Sequence, residues 1–131
     1  GRRLQRVENL MHAGDAMPQV GPDAKMPEVI YEMSRKGLGM TTVLDGAGRL
    51  AGIITDGDLR RLMQHRGGEV LGLSAAECMT RDPVTIGAGE LASVALKLME
   101  ERKITSVVVA DEAKRAQGVL HVHDLWTLQL F

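Results

Sequence analysis

The feature that most constrains this chain is an internal repeat. A shift of 66 positions lays Gly52-Ile53-Ile54-Thr55-Asp56-Gly57-Asp58-Leu59 on Gly118-Val119-Leu120-His121-Val122-His123-Asp124-Leu125, and Met33 on Met99. Leu10-Met11 also matches Cys78-Met79, but at a shift of 68, so the first copy carries two extra residues after Met11. Self-similarity at a fixed period means one supersecondary unit used twice, each copy too small to bury a core alone. In a chain of 131 residues this sets the boundaries at 7–66 and 74–131.

Hydrophobic periodicity gives the content of each copy. Met26, Val29, Ile30 and Met33 follow helical spacing, and Leu91, Val94, Ala95 and Leu98 repeat it. Pro27 fits only the first helical turn, where backbone N–H groups lack intrahelical partners. Met40–Leu44 and Ser106–Ala110 are rich in β-formers, and each precedes a second strand ending at Thr55 or His121. Val20 and 84–86 supply a short first strand, and Asp56 and His123 open closing helices. Asp45-Gly46-Ala47-Gly48 is a strong hairpin turn; the loop from Asp111 to Gln117 is longer, charged and less tightly specified. Gln64 to Gly72, with Gly67-Gly68, is the expected linker between copies. The fold class is α/β (α+β): two βαββα repeats packed sheet to sheet as a pseudo-twofold pair.

Composition excludes several function classes. A formal net charge of −1, without a long basic or acidic block, gives no case for nucleic acid or an anionic membrane as partner. No apolar stretch approaches the ~20 residues of a membrane span, and the N-terminus lacks the apolar core of a secretory signal. A single cysteine, Cys78, rules out an internal disulfide and fits a reducing, cytoplasmic setting. Glu77 and Met79 beside it offer no thiolate stabilisation, so it reads as a structural thiol. Aromatic residues make up only 2%, so the core must be aliphatic, with the eight methionines filling gaps.

The candidate site lies where strand meets closing helix. Thr55 ends a strand and Asp58 follows one helical turn later. A hydroxyl, a carboxylate and free N–H groups can converge there to hold a phosphate and the paired hydroxyls of a sugar. The same two residues also make a helix cap. Gly52 and Gly118 precede the motif in each copy. The second copy keeps Asp124 but has His121 in place of the Thr, and His121 and His123 fall on one side of an extended segment. That imidazole pair suits an acidic sugar, a pH response or structural hydrogen bonding; two histidines are too few to assign a metal. Arg60 and Arg61 can pair an anionic ligand, at least one of them lying on a solvated face because adjacent helical residues point ~100° apart. Asp56 and Asp58 have no accompanying nucleophile, and no phosphate loop, hydrolase triad or zinc-site spacing occurs, so no residue is assigned as catalytic and no cofactor is required.

The repeated βαββα order and the Gly-apolar-apolar-Thr-x-x-Asp ending of the first copy resemble CBS domains. Further matches look like the C-terminal CBS pair of bacterial arabinose-5-phosphate isomerases. They include Gly1-Arg2-Arg3-Leu4, Leu10-Met11-His12, Gly39-Met40, Thr55-Asp56-Gly57-Asp58-Leu59-Arg60-Arg61, Lys103-Ile104-Thr105-Ser106 and His121-Val122-His123-Asp124-Leu125. The resemblance implies nucleotide binding in a cleft between copies and a homodimer of pairs. It also implies an N-terminal sugar-isomerase domain in the full protein, residues 1–6 being the remnant of the linker to it. Such isomerases make the precursor of Kdo, an acidic sugar of lipopolysaccharide, so the expected regulatory ligand is CMP-Kdo. AMP or ATP is the alternative, and a purely structural assembly role the competing class. The ligand-binding set is Gly52, Thr55, Asp58, Gly118, His121, His123 and Asp124.

Overall fold

A computed structural model describes residues 4–128; Gly1-Arg2-Arg3 of the expected linker and residues 129–131 of the second repeat lie outside the described residues. The chain forms two compact units, one of Pro18–Pro83 and one of the residues up to Met17 together with those from Val84 onward.

The Pro18–Pro83 unit has a four-stranded sheet in the order β1 (Gln19–Val20), β2 (Met40–Leu44), β3 (Leu50–Thr55), β4 (Thr80–Arg81). β1 is parallel to β2, and the other neighbours are antiparallel. Helices α1 (Met26–Lys36), α2 (Asp56–Arg66) and the single turn α3 (Ala75–Cys78) accompany it. The second unit has β5 (Thr85–Ile86) parallel to β6 (Ser106–Ala110) and β6 antiparallel to β7 (Ala116–His121), with α4 (Ala92–Arg102) and α5 (Val122–Trp126). The shift of 66 holds down to register: Met40 faces Thr55 as Ser106 faces His121, and the irregularity at Val43/Leu44 recurs at Val109/Ala110.

Each unit takes its leading segment from the other repeat. β4, which opens the second repeat in sequence, pairs with β3 through Gly52↔Arg81 and Ile53↔Thr80. In the other unit His12 pairs with Val119, exchanging both backbone hydrogen bonds at 2.8 and 3.0 Å. Gly52 and Gly118 make this possible: a Cβ on Gly52 would lie 2.6 Å from the Thr80 carbonyl oxygen, and one on Gly118 2.9 Å from that of His12. Leading residues Gln5 and Arg6 are also tied down, Gln5 accepting from the Ala92 N–H and Arg6 donating to the Gly89 carbonyl.

The cores are aliphatic. One gathers Val20, Met26, Val29, Met33, Val43 and Ile54; the other Ala95, Leu96, Met99, Val107, Leu120 and Leu125. Met17, Met26, Met33, Met40 and Met99 are buried, whereas Met63 is exposed. Buried Thr42 donates from Oγ1 to the Pro18 carbonyl at 2.7 Å, satisfying its hydroxyl at the start of β1.

Three sequence expectations need correction. α4 buries Ala92, Ala95, Leu96 and Met99, the frame of Met26, Val29, Ile30 and Met33 shifted by 66, while Val94 is 44% exposed. The apolar residues Leu91, Val94 and Leu98 offered a second helical frame one residue away, and burial of small alanines decided against it. The segment from Gln64 to Gly72 is not a free linker: α2 runs to Arg66, a 3-10 helix spans Gly67–Gly72, and Val70 is buried. The second hairpin is as tightly specified as the first. Asp45 Oδ1 accepts from the N–H groups of Ala47 and Arg49, and Asp111 Oδ1 from those of Ala113 and Arg115, with Lys114 at φ 66° where the first hairpin has Gly48 at 78°.

Candidate functional site

In the Pro18–Pro83 unit the site is the turn from β3 into α2. Thr55 is extended (φ −107°) and caps α2: its Oγ1 accepts from the Asp58 N–H at 3.1 Å, and Asp58 Oδ2 accepts from the Thr55 N–H at 3.1 Å. This reciprocal capping box satisfies two otherwise orphaned donors. The other carboxylate oxygen, Oδ1, accepts from Arg61 at 2.7 Å, and Thr80 Oγ1 reaches Oδ2 at 3.5 Å. Thr55 and Asp58 are therefore cap residues first, and the Asp58 side chain remains 20% exposed. Asp58, Arg61, Leu62, His65, Arg66 and Cys78 line a concavity of about 240 Å³. Of the two exposed arginines, Arg61 is the one that meets the carboxylate. Asp56 is exposed at the start of α2.

In the other unit the same turn is built with imidazoles. His121 takes the place of Thr55, its Nδ1 accepting from the His123 N–H at 3.1 Å, while Asp124 Oδ2 accepts from the His121 N–H at 2.8 Å. His12 Nε2 lies 2.9 and 3.1 Å from the two Asp124 carboxylate oxygens. The His121 and His123 rings stand edge to face at 4.4 Å, and His123 lies 4.2 Å from Trp126. The two rings are neighbours for a reason different from strand alternation. β7 ends at His121 and the chain turns helical at Val122, so the cap itself brings them together.

Gly52 and Gly118 have a packing role in this geometry. The faces where side chains would stand are filled by Met79 and Thr80, and by Met11 and His12. Residues that sequence reasoning left out of the site are His12 and Thr80, the partners of the two carboxylates. They follow Leu10-Met11 and Cys78-Met79 directly, so the shift of 68 already placed them in equivalent positions.

Cys78 is buried, and burial pushes its thiol above the ordinary value, reinforced by Glu77 and opposed by Arg66; it is a poor nucleophile. Among the described residues no group of three or more His, Cys, Asp or Glu is arranged to hold a metal ion, and no helix is long and apolar enough to cross a membrane.

Burial lowers the His121 imidazole below its ordinary value, His123 and His12 add to the lowering, and Asp124 opposes it. The neutral ring is the form that can accept at Nδ1. A folded value below the unfolded one means that the contribution of the cap is complete above pH ~6.5 and is lost as pH falls from there towards the folded value. Thermal melts from pH 7.5 to 5.5 should show a larger loss of Tm for the wild type than for His121→Thr, which restores the residue type of Thr55; parallel curves would contradict this role.

Comparison with known proteins fixes the class. The CBS domain family model matches residues 7–65 and 75–125, and this chain belongs to the CBS domain family. The curated relatives it matches are arabinose 5-phosphate isomerases. The chain is 48% identical over 126 residues to arabinose 5-phosphate isomerase KdsD of Pseudomonas aeruginosa and 46% identical to KdsD of Escherichia coli K12, in each case across 95% of this chain. It spans 38% of the length of these enzymes. Among solved structures, a CBS-domain-containing protein from Agrobacterium tumefaciens matches with a TM-score of 0.83 at 22% identity, covering 97% of this chain and 95% of that one. The CBS domain pair of protein MJ0100, in complex with 5′-methylthioadenosine and S-adenosyl-L-methionine, matches at 0.83 and 20% identity over 96% of each chain. CBSX2 in complex with AMP matches at 0.82 and 21% identity, over 95% of this chain and 96% of that one. These likenesses establish the mixed α/β fold of a CBS pair.

Proposed function

We propose that this chain is the ligand-sensing regulatory pair of an arabinose 5-phosphate isomerase, joined in the full protein to an N-terminal sugar-isomerase domain. In this reading it binds a nucleotide or sugar nucleotide, CMP-Kdo being the best suited. The observation that carries the reading is the Asp58 carboxylate at the head of α2, beside a concavity edged by Arg61, His65 and Arg66, in a chain matching KdsD over 95% of its length. A carboxylate accepts from vicinal sugar hydroxyls, and guanidinium groups pair with phosphate.

CMP-Kdo fits because a product downstream of the isomerase is the natural feedback signal for the route to lipopolysaccharide, and its sugar adds a carboxylate that cationic side chains can hold. An adenine nucleotide is the second reading, favoured by the fold neighbours solved with AMP and with S-adenosyl-L-methionine. The pair acts in the cytoplasm and assembles as a homodimer. The effector must bind two conformations of the enzyme unequally, since equal binding shifts nothing.

Asp58→Ala tests the site. Losing the capping box costs about 1 kcal/mol, so the variant stays folded. Its affinity for CMP-Kdo in calorimetric titration is expected to fall at least tenfold, the worth of about one hydrogen bond to a charged group. Unchanged affinity would remove Asp58 from the site.

A further inference from the structure

The two capping turns are built alike, yet their carboxylates are held very differently. Asp58 is paired with Arg61, whose side chain is 61% exposed, and with Thr80 at 3.5 Å, the limit of a hydrogen bond. An exposed ion pair of this kind contributes little and gives way readily. Asp124 is held by His12 Nε2 at 2.9 and 3.1 Å, one imidazole spanning both oxygens. The His12 backbone is fixed, its N–H and carbonyl both bonded to Val119; its short side chain has two torsions and is 35% exposed, against 61% for the longer Arg61. The position equivalent to Arg61 in this unit is Thr127, whose hydroxyl donates to the Asp124 carbonyl at 3.0 Å, so His12 takes the part at this carboxylate that Arg61 takes at Asp58.

We infer that His12 makes the two halves of the pair unequal: it keeps Asp124 closed to a ligand's sugar hydroxyls and leaves the Asp58 half as the single nucleotide site of the chain. The inference rests on the ligand-sensing reading above and adds the stoichiometry and the residue that sets it. The repeat supplies the appropriate substitution, since Thr80 occupies the equivalent position beside Asp58. His12→Thr keeps both backbone bonds to Val119 and withdraws the imidazole.

The experiment is calorimetric titration of the 131-residue chain with CMP-Kdo and with AMP, combined with carbethoxylation of the histidines by diethyl pyrocarbonate. The wild type is expected to bind one nucleotide per chain, His12→Thr two, and Asp58→Ala with affinity reduced at least tenfold. Two sites in the wild type, or one site unchanged in His12→Thr, would overturn the inference. Binding of neither nucleotide by either protein would overturn the nucleotide reading and with it the stoichiometry. The hold of His12 on Asp124 is then judged by carbethoxylation alone: His12 should react more slowly than exposed His65 in the wild type and at a similar rate in Asp124→Asn. Equal rates in the wild type would show that the imidazole is free.

Discussion

Gly52→Ala is expected to destabilise the protein by about 3 kcal/mol, far more than an ordinary glycine-to-alanine change in a strand. The new methyl would lie 2.6 Å from the Thr80 carbonyl oxygen and 2.9 Å from Met79 Cγ. The methionine side chain can turn aside, but the carbonyl belongs to β4 and is fixed by the pairing of Gly52 with Arg81 and of Ile53 with Thr80. Relief therefore requires β4 to leave β3, which loosens the leading segment of the second repeat and the Thr80 hydroxyl beside Asp58. Gly46→Ala is the control: nothing lies within 4 Å of its Cβ position, and its stability should change by no more than ~0.5 kcal/mol. Urea denaturation of both variants measures the difference. A Gly52→Ala midpoint equal to that of Gly46→Ala would mean that the close approach of β4 is not required.

Glu32→Ala is expected to cost about 2 kcal/mol, because Glu32 is a buried carboxylate that ties three groups together. Its Oε2 accepts from the Gln19 N–H at 2.9 Å, its Oε1 from Arg35 at 2.9 Å, and Lys36 lies 3.3 Å from Oε2. Only 6% of the residue is exposed, so removing it strips a strand donor and a largely buried ammonium of an acceptor. Glu32→Gln keeps the shape and one acceptor and should lose about half as much. Burial alone would raise this carboxyl, but the Gln19 N–H, then Arg35 and Lys36, outweigh it and hold the value below the ordinary 4.5. A depressed folded value means that the stabilisation is present above pH ~4.5 and disappears as pH falls through the folded value. The gap in unfolding free energy between wild type and Glu32→Ala should accordingly be full at pH 7 and shrink below pH 4. A gap independent of pH would contradict the ionised state of Glu32.

Much of the fold is legible because the repeat constrains it twice. The strands Met40–Leu44 and Ser106–Ala110, and the helix starting at Met26, follow from patterns that each copy confirms in the other. The frame of α4 was ambiguous because Ala92 buries fully with almost no hydrophobic signal, while exposed Val94 carries a strong one. Turn chemistry was read from glycines, although in both hairpins an aspartate side chain organises the loop, and that device survives in the second hairpin with Lys114 in the left-handed position. The exchange of leading segments is a long-range pairing that periodicity cannot encode. Its trace was the change of shift from 66 to 68, together with two glycines that look like motif residues and serve as contact points.

Of the residues expected to bind ligand, Thr55 and Asp58 meet at one strand-to-helix turn and His121 and Asp124 at the equivalent turn of the other unit, where the alternative of a helix cap is realised in full. Missing from the sequence reading were His12 and Thr80, which lie 112 and 22 positions from the carboxylates they approach.

Calorimetric titration of the chain with CMP-Kdo, CMP, AMP and ATP in parallel decides whether the pair is a nucleotide sensor. Saturable binding is expected, tightest for CMP-Kdo and weaker for CMP, because the sugar hydroxyls and carboxylate add contacts that the base does not supply. Tighter binding of AMP or ATP would move the pair to energy sensing, and binding of none of the four would contradict a nucleotide sensor and leave a module that serves assembly.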